Sequence, residues 1–332
     1  MKKQIIFPLL KEICLDQNIT FIEEPSRGVF GALIFDNGKK FFIKDVNFNI
    51  NYVSSVSVTR NKALTSFFLN KYGYNAPEFT MVCSEVVCKK NNSCDTLQNG
   101  LHFANKIGYP VILKLNGSSQ GRGVYKVFSD DELIKKSKLI FENHDTFQIQ
   151  KYYPYNDYRI VVLGDKVISA YQRIHFTVVG NGVSTINQLI DEKQKFFKKC
   201  GRDTVLKVDE EIYENLSRLG YNLETILAVV KKCILRSVSN LSAGGECLDL
   251  TNKLHKDYIN LCLKIAKDFN LNLCGIDIMC QDLTRCLDDY VILEINSSPG
   301  LDNYAFIGEA QELYVKNLYR QVVLYLKEKS IK

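Results

Sequence analysis

Two short segments near the C-terminal end constrain this chain more than any other feature. Residues 273–280 read Leu-Cys-Gly-Ile-Asp-Ile-Met-Cys, and residues 290–296 read Tyr-Val-Ile-Leu-Glu-Ile-Asn. Both have the length and composition of strands, and the polar stretch 281–289 joins them. A carboxylate set in an apolar strand is costly to bury unless a cation meets it. Alternation puts Glu294 and Asn296 on one face of the second strand. Asp277 stands on its neighbour, which is expected to run antiparallel. Three oxygen donors would then converge on one patch. Hard oxygens of this kind suit Mg²⁺, which keeps several waters and is completed by phosphate oxygens. The alternative is a polar sheet face in solvent, and the flanking Ile276, Ile278, Leu293 and Ile295 argue against it.

A second pattern runs Lys114-Leu-Asn-Gly-Ser-Ser-Gln-Gly-Arg-Gly123. A lysine leaves an apolar strand and enters a loop of glycines and serines. Such a loop exposes N–H groups and hydroxyls that can wrap an anion, with the ammonium as a point charge. It is no P-loop, because no Gly-Lys-Ser/Thr follows, and no dinucleotide turn, because the next element reads as a strand. A plain flexible hairpin is its alternative.

Two further segments are turn-like. Asn296-Ser-Ser-Pro-Gly300 could aim backbone N–H groups at a ligand. The run from Leu235 to Glu246 carries Arg236, a permanently charged fork for carboxylate or phosphate oxygen, followed by small residues that permit close backbone approach. A surface loop is its alternative. Tyr152, Tyr153 and Tyr155 suit either base stacking or packing. The four histidines are scattered, and no Ser/His/Asp or Cys/His nucleophile pattern stands out.

The net charge of +6 is spread along the chain without the basic block of a nucleic-acid binder, so no nucleic-acid partner is expected. No stretch approaches the ~18 apolar residues of a membrane helix, and residues 5–10 are too short for a signal-peptide core. The eleven cysteines include no CxxC pair, and several lie in apolar runs. They read as reduced core residues of a cytoplasmic protein.

The pattern predicts helices over 61–72, 101–107, 185–199 and 255–269, and a long one at the end. It predicts strands over 109–115, 124–128 and 147–150, and a hairpin of 158–163 with 166–173 about Gly164-Asp165. Ser129 with Glu132 reads as a capping box. Residues 201–232 read as polar and mixed.

In this order the segments resemble the ATP-grasp superfamily, and within it the ligase part of cyanophycin synthetase and the similar domain of bifunctional glutathione synthetase. The resemblance runs from about Thr59 to the C-terminal end. It is carried by Asn61-Lys62 with Thr65, Gly108-Tyr-Pro-Val-Ile-Leu-Lys114, Asp157-Tyr-Arg159, Val179-Gly-Asn-Gly182, the Arg236–Gly245 run, Gly275-Ile-Asp277 and Glu294-Ile-Asn-Ser-Ser-Pro-Gly300. It implies an α+β ATP-grasp fold, with two α+β subdomains clamping ATP and a smaller N-terminal α/β region. The divisions expected are 1–100 for shaping the substrate pocket, 101–153 for the lid, and 154–332 for the metal and acyl-phosphate site.

The resemblance also implies roles. Lys62 and Lys114 would hold ATP phosphates, and the 117–123 loop, with Ser118, Ser119, Gly121 and Gly123, would close over them. Gln150, Lys151 and Tyr153 would line the adenine, and Asp157 would take the ribose hydroxyls. Asp277, Glu294 and Asn296 would bind two Mg²⁺ ions. Arg236 and Arg159 would act on the γ-phosphate and the acyl phosphate. Arg173, Asn240, Ser242, Gly244 and Gly245 would face the substrate. Two positions depart from the pattern. Gln150 replaces an acid toward the adenine amino group, and Gly275 stands where some such ligases place arginine.

The implied reaction is ADP-forming amide synthesis, in which an acyl phosphate is made from a carboxylate and attacked by an amine. The substrates expected are amino acids or small peptides, with no membrane partner and with self-association as a homodimer. Two alternatives stay open: a modifier or macrocyclase of a larger peptide or protein, and an inactive nucleotide-binding module. The 332 residues contain neither a Mur-ligase-like second half nor a glutamate–cysteine ligase domain. The expectation is therefore not a complete enzyme of either named kind.

Overall fold

The computed structural model describes residues 5–115, 123–202, 204–305 and 309–331, with only the backbone at 302 and 303. The chain begins with helix α1 (Ile6–Asp16) and a meander of strands β1 (Thr20–Glu23), β2 (Phe30–Ile34), β3 (Lys40–Lys44) and β4 (Asn47–Phe48), each antiparallel to the next. Helices α2 (Val53–Arg60) and α3 (Lys62–Lys71) follow. Between them Asn61 is extended, and its side chain accepts the N–H groups of Ala63 and Leu64. That cap stops one helix and starts the next.

The central unit contains β5 (Phe79–Cys83), α4 (Glu85–Asn91), α5 (Leu97–Ile107), β6 (Val111–Leu115), β7 (Val124–Val127), α6 (Asp130–Phe141) and β8 (Thr146–Lys151). Its strands form one antiparallel sheet in the order β5-β8-β6-β7, so this sheet takes a strand from before residue 101. One face packs Val111, Leu113, Phe147 and Ile149 into a core shared with α5 and α6. Period-two alternation therefore turns Ile112, Lys114, Gln148 and Gln150 to the other face. The capping box expected at Ser129 is half made. Ser129 accepts from the Glu132 N–H, but the Glu132 carboxylate takes the N–H of Phe128 instead of that of Ser129.

The last part contains β9 (Asn156–Leu163), β10 (Lys166–Ile174), β11 (Thr177–Val179), α7 (Ile186–Lys199), α8 (Glu210–Arg218), β12 (Lys232–Ile234), β13 (Glu246–Asp249), α9 (Lys256–Asp268), β14 (Leu273–Cys280), β15 (Tyr290–Asn296), α10 (Asp302–Ala305) and α11 (Glu309–Ile331). Its main sheet has the order β13-β10-β9-β14-β15 and is antiparallel throughout. One face buries Ile160, Val162, Cys274, Ile276 and Ile292 with residues of α3 and α9. The other face changes character along the strands. At one end Val161, Leu163 and Leu273 join a core made with α1, α11 and the N-terminal meander. At the other end the same alternation presents Asp157, Arg159 and Asp277. The N-terminal unit thus covers half of a sheet face and leaves the charged half uncovered by that core.

A smaller module with its own core packs α7 and α8 on the β11–β12 ribbon, with Phe176, Ile190, Ile212 and Leu235 buried. It gives 204–232 the order that the sequence pattern did not reveal. Helix α8 meets α6 of the central unit through ion pairs, with Lys135 to Glu210 at 3.1 Å, Lys136 to Glu214 at 3.1 Å and Arg218 to Glu132 at 3.0 Å. Among the described residues no helix is long and apolar enough to cross a membrane. All eleven cysteines are free, and six of them are buried.

Candidate functional site

The charged half of the main sheet carries one continuous row. Across the strands, Arg159 of β9 faces Asp277 of β14, and Asp277 faces Glu294 of β15. Arg159 grips the Asp277 carboxylate with two bonds, Nε to Oδ1 at 2.5 Å and Nη2 to Oδ2 at 2.7 Å. Arg173 of β10 forms an ion pair with Oδ2, Nη2 lying 2.9 Å away, and donates a hydrogen bond to Asp157 at 2.7 Å. Asp277 is only 2% exposed. Burial pushes its carboxyl up, but Arg159 and Arg173 hold it far below the ordinary carboxylate range. The buried charge is tolerated because it is paired and bonded.

Glu294 is the hinge between this row and two lysines. Lys62, the first residue of α3, brings its Nζ to 3.6 Å from Glu294 Oε2. Asn296 Nδ2 donates to Glu294 Oε1 at 3.2 Å. Lys114 arrives from the central sheet. Burial draws its pKa down, while Glu294, Asp157 and Asp277 oppose that shift and Lys62 adds to it. Three carboxylates and four cations thus form one cluster with a single net positive charge. That balance suits a polyanion accompanied by metal.

The donor set can be tested for Mg²⁺ on its chemistry. Asp277 and Glu294 are directly paired across β14 and β15, and the Arg159 guanidinium reaches both. Two facing carboxylates favour either a shared proton or a bridging cation. Asp277 Oδ1 accepts from Arg159 Nε and retains a lone pair, and Glu294 is part-exposed. Asp277, Glu294 and the amide oxygen of Asn296 therefore fit a divalent cation.

Two glycines shape this ground. A Cβ on Gly275 would lie 3.1 Å from Pro299 Cβ and 3.3 Å from Arg159 Cδ. Arg159 thus fills the space above a position that has no side chain of its own. A Cβ on Gly245 would meet the backbone oxygens of Ser239, Asn240 and Ile174 at 2.7, 2.8 and 2.8 Å, so only glycine fits there. Asn51 of the N-terminal unit holds the Asn296–Gly300 turn from behind, donating to Leu273 O at 2.7 Å and Ser297 O at 2.9 Å.

Several expected site residues are placed differently. Arg236 turns away from Asp277. Its guanidinium is held by Asp209 at 2.6 Å, Glu211 at 2.8 Å and the carbonyl of Lys207, because the acidic start of α8 captures it. The arginines on Asp277 are Arg159 and Arg173 instead. Lys151 has its Nζ on Glu78 at 2.7 Å and donates its N–H to the Glu78 carbonyl. The Tyr153 hydroxyl accepts from the N–H of Glu78, and its ring stacks on Tyr155. Asp157 is engaged by Arg173 and by the Ser239 hydroxyl.

Gln150 is buried beside Lys114's strand. Gly123 opens β7 with φ +65°. The Asn240 carbonyl accepts from Ala243 and Gly245, with Ser242 and Gly244 in the same tight turn. Ser118, Ser119 and Gly121 lie outside the described residues.

Sequence reasoning passed over two residues. Gln148 shares a face with Lys114, and the alternation Gln-Ile-Gln in β8 is the signal that would have found it. Arg202 is 3% exposed and bonds the carbonyls of Leu241 and Gly245 from beneath. Burial draws its pKa down to about 10. It lies in the polar 201–232 stretch, where no periodic pattern marks it.

This fold and cluster define a class, which the comparisons with known proteins name. Residues 225–311 match the RimK-like ATP-grasp domain, and residues 78–193 match the ATP-binding domain of the carbamoyl-phosphate synthase L chain. The chain belongs to the ATP-grasp superfamily. It is 30% identical to the cyanophycin synthetase of Trichormus variabilis over 75% of this chain and 27% of that protein. It is 34% identical to that of Geminocystis herdmanii over 65% and 28%. The crystal structure of a bifunctional glutathione synthetase from Pasteurella multocida shares the fold, with TM-score 0.61 and 21% identity over 95% of this chain and 44% of that one. The chain spans about a quarter of the length of the cyanophycin synthetases it matches.

Proposed function

We propose that this chain is an ATP-dependent, ADP-forming carboxylate–amine ligase acting on an amino acid or small peptide. The observation that carries the reading is the row Arg159–Asp277–Glu294, met by Lys62 and Lys114 from two other elements. ATP as the nucleotide follows from the ATP-grasp fold. The ligase reaction follows from the cyanophycin synthetase likeness.

Phosphoryl transfer asks a protein for position and charge rather than for a nucleophile. Lys114 and Lys62 supply fixed positive charge to the triphosphate. Asp277, Glu294 and Asn296 would hold Mg²⁺, which neutralises charge on phosphate oxygens. Arg159 and Arg173 are pre-organised by Asp277 and Asp157, so they can meet developing negative charge without reorganising. Ser297, Ser298 and Gly300, braced by Asn51, form the adjoining wall for the substrate carboxylate. Arg236, held by Asp209 and Glu211 at the start of α8, suits a substrate-positioning role better than direct contact with phosphate.

The test is a screen for substrate-dependent ADP release with amino acids and dipeptides, first as acyl donors and then as amine acceptors. Release that needs both partners, Mg²⁺ and an intact Asp277 is the expected result. Full ADP release by Asp277→Ala, or no release with any pair, would overturn the assignment.

A further inference from the structure

Natural interiors rarely leave a buried polar atom unmatched, and an orphan often marks where a ligand belongs. Gln148 is such a case. It is 2% exposed, and its Nε2 has no hydrogen-bond partner. Among the described residues no acceptor lies within hydrogen-bond reach of that amide nitrogen. It stands directly across from Lys114 in the β6–β8 ladder, with Gln150 two residues along on the same face. The helix-side core holds Phe147 and Ile149, so Gln148 is on the side where Lys114 reaches the carboxylate cluster.

The surroundings of Gln148 indicate what would satisfy it. Its cross-strand partner on the other side is Met81, and Phe79 and Ile112 flank Gln150. These are apolar, half-buried residues. A flat apolar floor with neutral amides suits a nucleobase ring, whereas a phosphate needs the cations that Lys114 and Lys62 supply at the cluster. Adenine presents the ring acceptor N7 beside its N6 amino group, and a glutamine amide is a matched donor for N7.

We propose that Gln148 donates a hydrogen bond to the purine N7 of the bound nucleotide and is a base-recognition residue of this site. The assignment rests on the nucleotide-binding reading above. A donor that is buried and idle without ligand gives recognition its leverage, because a base lacking the acceptor leaves it unmatched.

The experiment compares equilibrium binding of ATP and 7-deaza-ATP, which carries C–H in place of N7, to the wild-type chain and to Gln148→Leu. The wild type is expected to prefer ATP by roughly five- to 150-fold. Gln148→Leu is expected to bind the two nucleotides alike, with ATP weakened by about the same factor. Its ligand-free melting temperature is expected to equal or exceed that of the wild type, because the substitution removes a buried orphan. Equal binding of both nucleotides by the wild type would overturn the proposal. So would preference retained in Gln148→Leu, or a ligand-free variant that melts several degrees lower, which marks a structural amide. Failure of the wild type to bind ATP at all would overturn the nucleotide reading itself, and this assignment with it.

Discussion

Asp277→Asn isolates the electrostatics of the site. In the native chain the carboxylate accepts two charge-assisted bonds from Arg159 and pairs with Arg173 at 2.9 Å, while 2% exposed. Asparagine keeps one oxygen to face Arg159 Nε. Its other end becomes an NH₂ group that confronts Nη2 of both arginines, so one hydrogen bond becomes a donor–donor conflict and one ion pair is lost. The cluster also moves from one net positive charge to two, with both guanidinium groups still desolvated. Breaking a buried pair from one side costs ~3–5 kcal/mol, and that is the loss expected here. Urea unfolding in the presence of a chelator would read it without a metal contribution. Arg159→Gln and the double variant complete a cycle. The double variant should be less destabilised than the sum of the singles by ~1–3 kcal/mol, because a neutral amide pair replaces the conflict. A loss below ~1 kcal/mol for Asp277→Asn, with additive singles, would refute the claim that this pair is desolvated and mutually dependent.

Other substitutions probe the supports. Gly275→Ala places a methyl 3.1 Å from Pro299 Cβ and 3.3 Å from Arg159 Cδ, so it should cost ~1–3 kcal/mol and lower ADP release by displacing Arg159; unchanged stability and turnover would count against that contact. Arg202→Met strips the carbonyls of Leu241 and Gly245 of a donor, and ~1–3 kcal/mol of stability should go with it, read by thermal melting. Alkylation by iodoacetamide at pH 8 should label exposed Cys94 and Cys286 first. Burial holds Cys280 up to about 11 and Cys247 and Cys274 up to about 12, so their thiolates are scarce at that pH and grow only as pH rises toward those values. Mass spectrometry that found Cys274 labelled as fast as Cys94 would contradict the packing around β14.

Much of this arrangement was written in local patterns. The antiparallel pairing of β14 with β15, and with it the meeting of Asp277 and Glu294, follows from two apolar runs interrupted by acids at matching phase. The hairpin of β9 and β10 and the cap at Asn61 are equally local. What escaped were contacts between distant segments. Arg236 offered a free fork in the sequence, and nothing near it foretold that Asp209 and Glu211, more than twenty residues earlier, would take it. Lys151 was similarly claimed by Glu78 across a strand pair. A charged side chain is drawn to whichever opposite charge the tertiary fold brings near, and strand alternation does not encode that choice. The strand β5, paired into the central sheet from before residue 101, shows the same limit for boundaries.

The seam between α6 and α8 has an energetic corollary. Each side of it already owns an oily interior, and what touches across the gap is ammonium and guanidinium against carboxylate, with Arg218 also over the Phe128 ring. Parting the two would wet groups that water solvates well, at little cost and with less resistance as ionic strength rises. Lys114 belongs to the unit on one side of that joint and Arg236 is tethered to the other, so the contact between them is made of ions rather than grease.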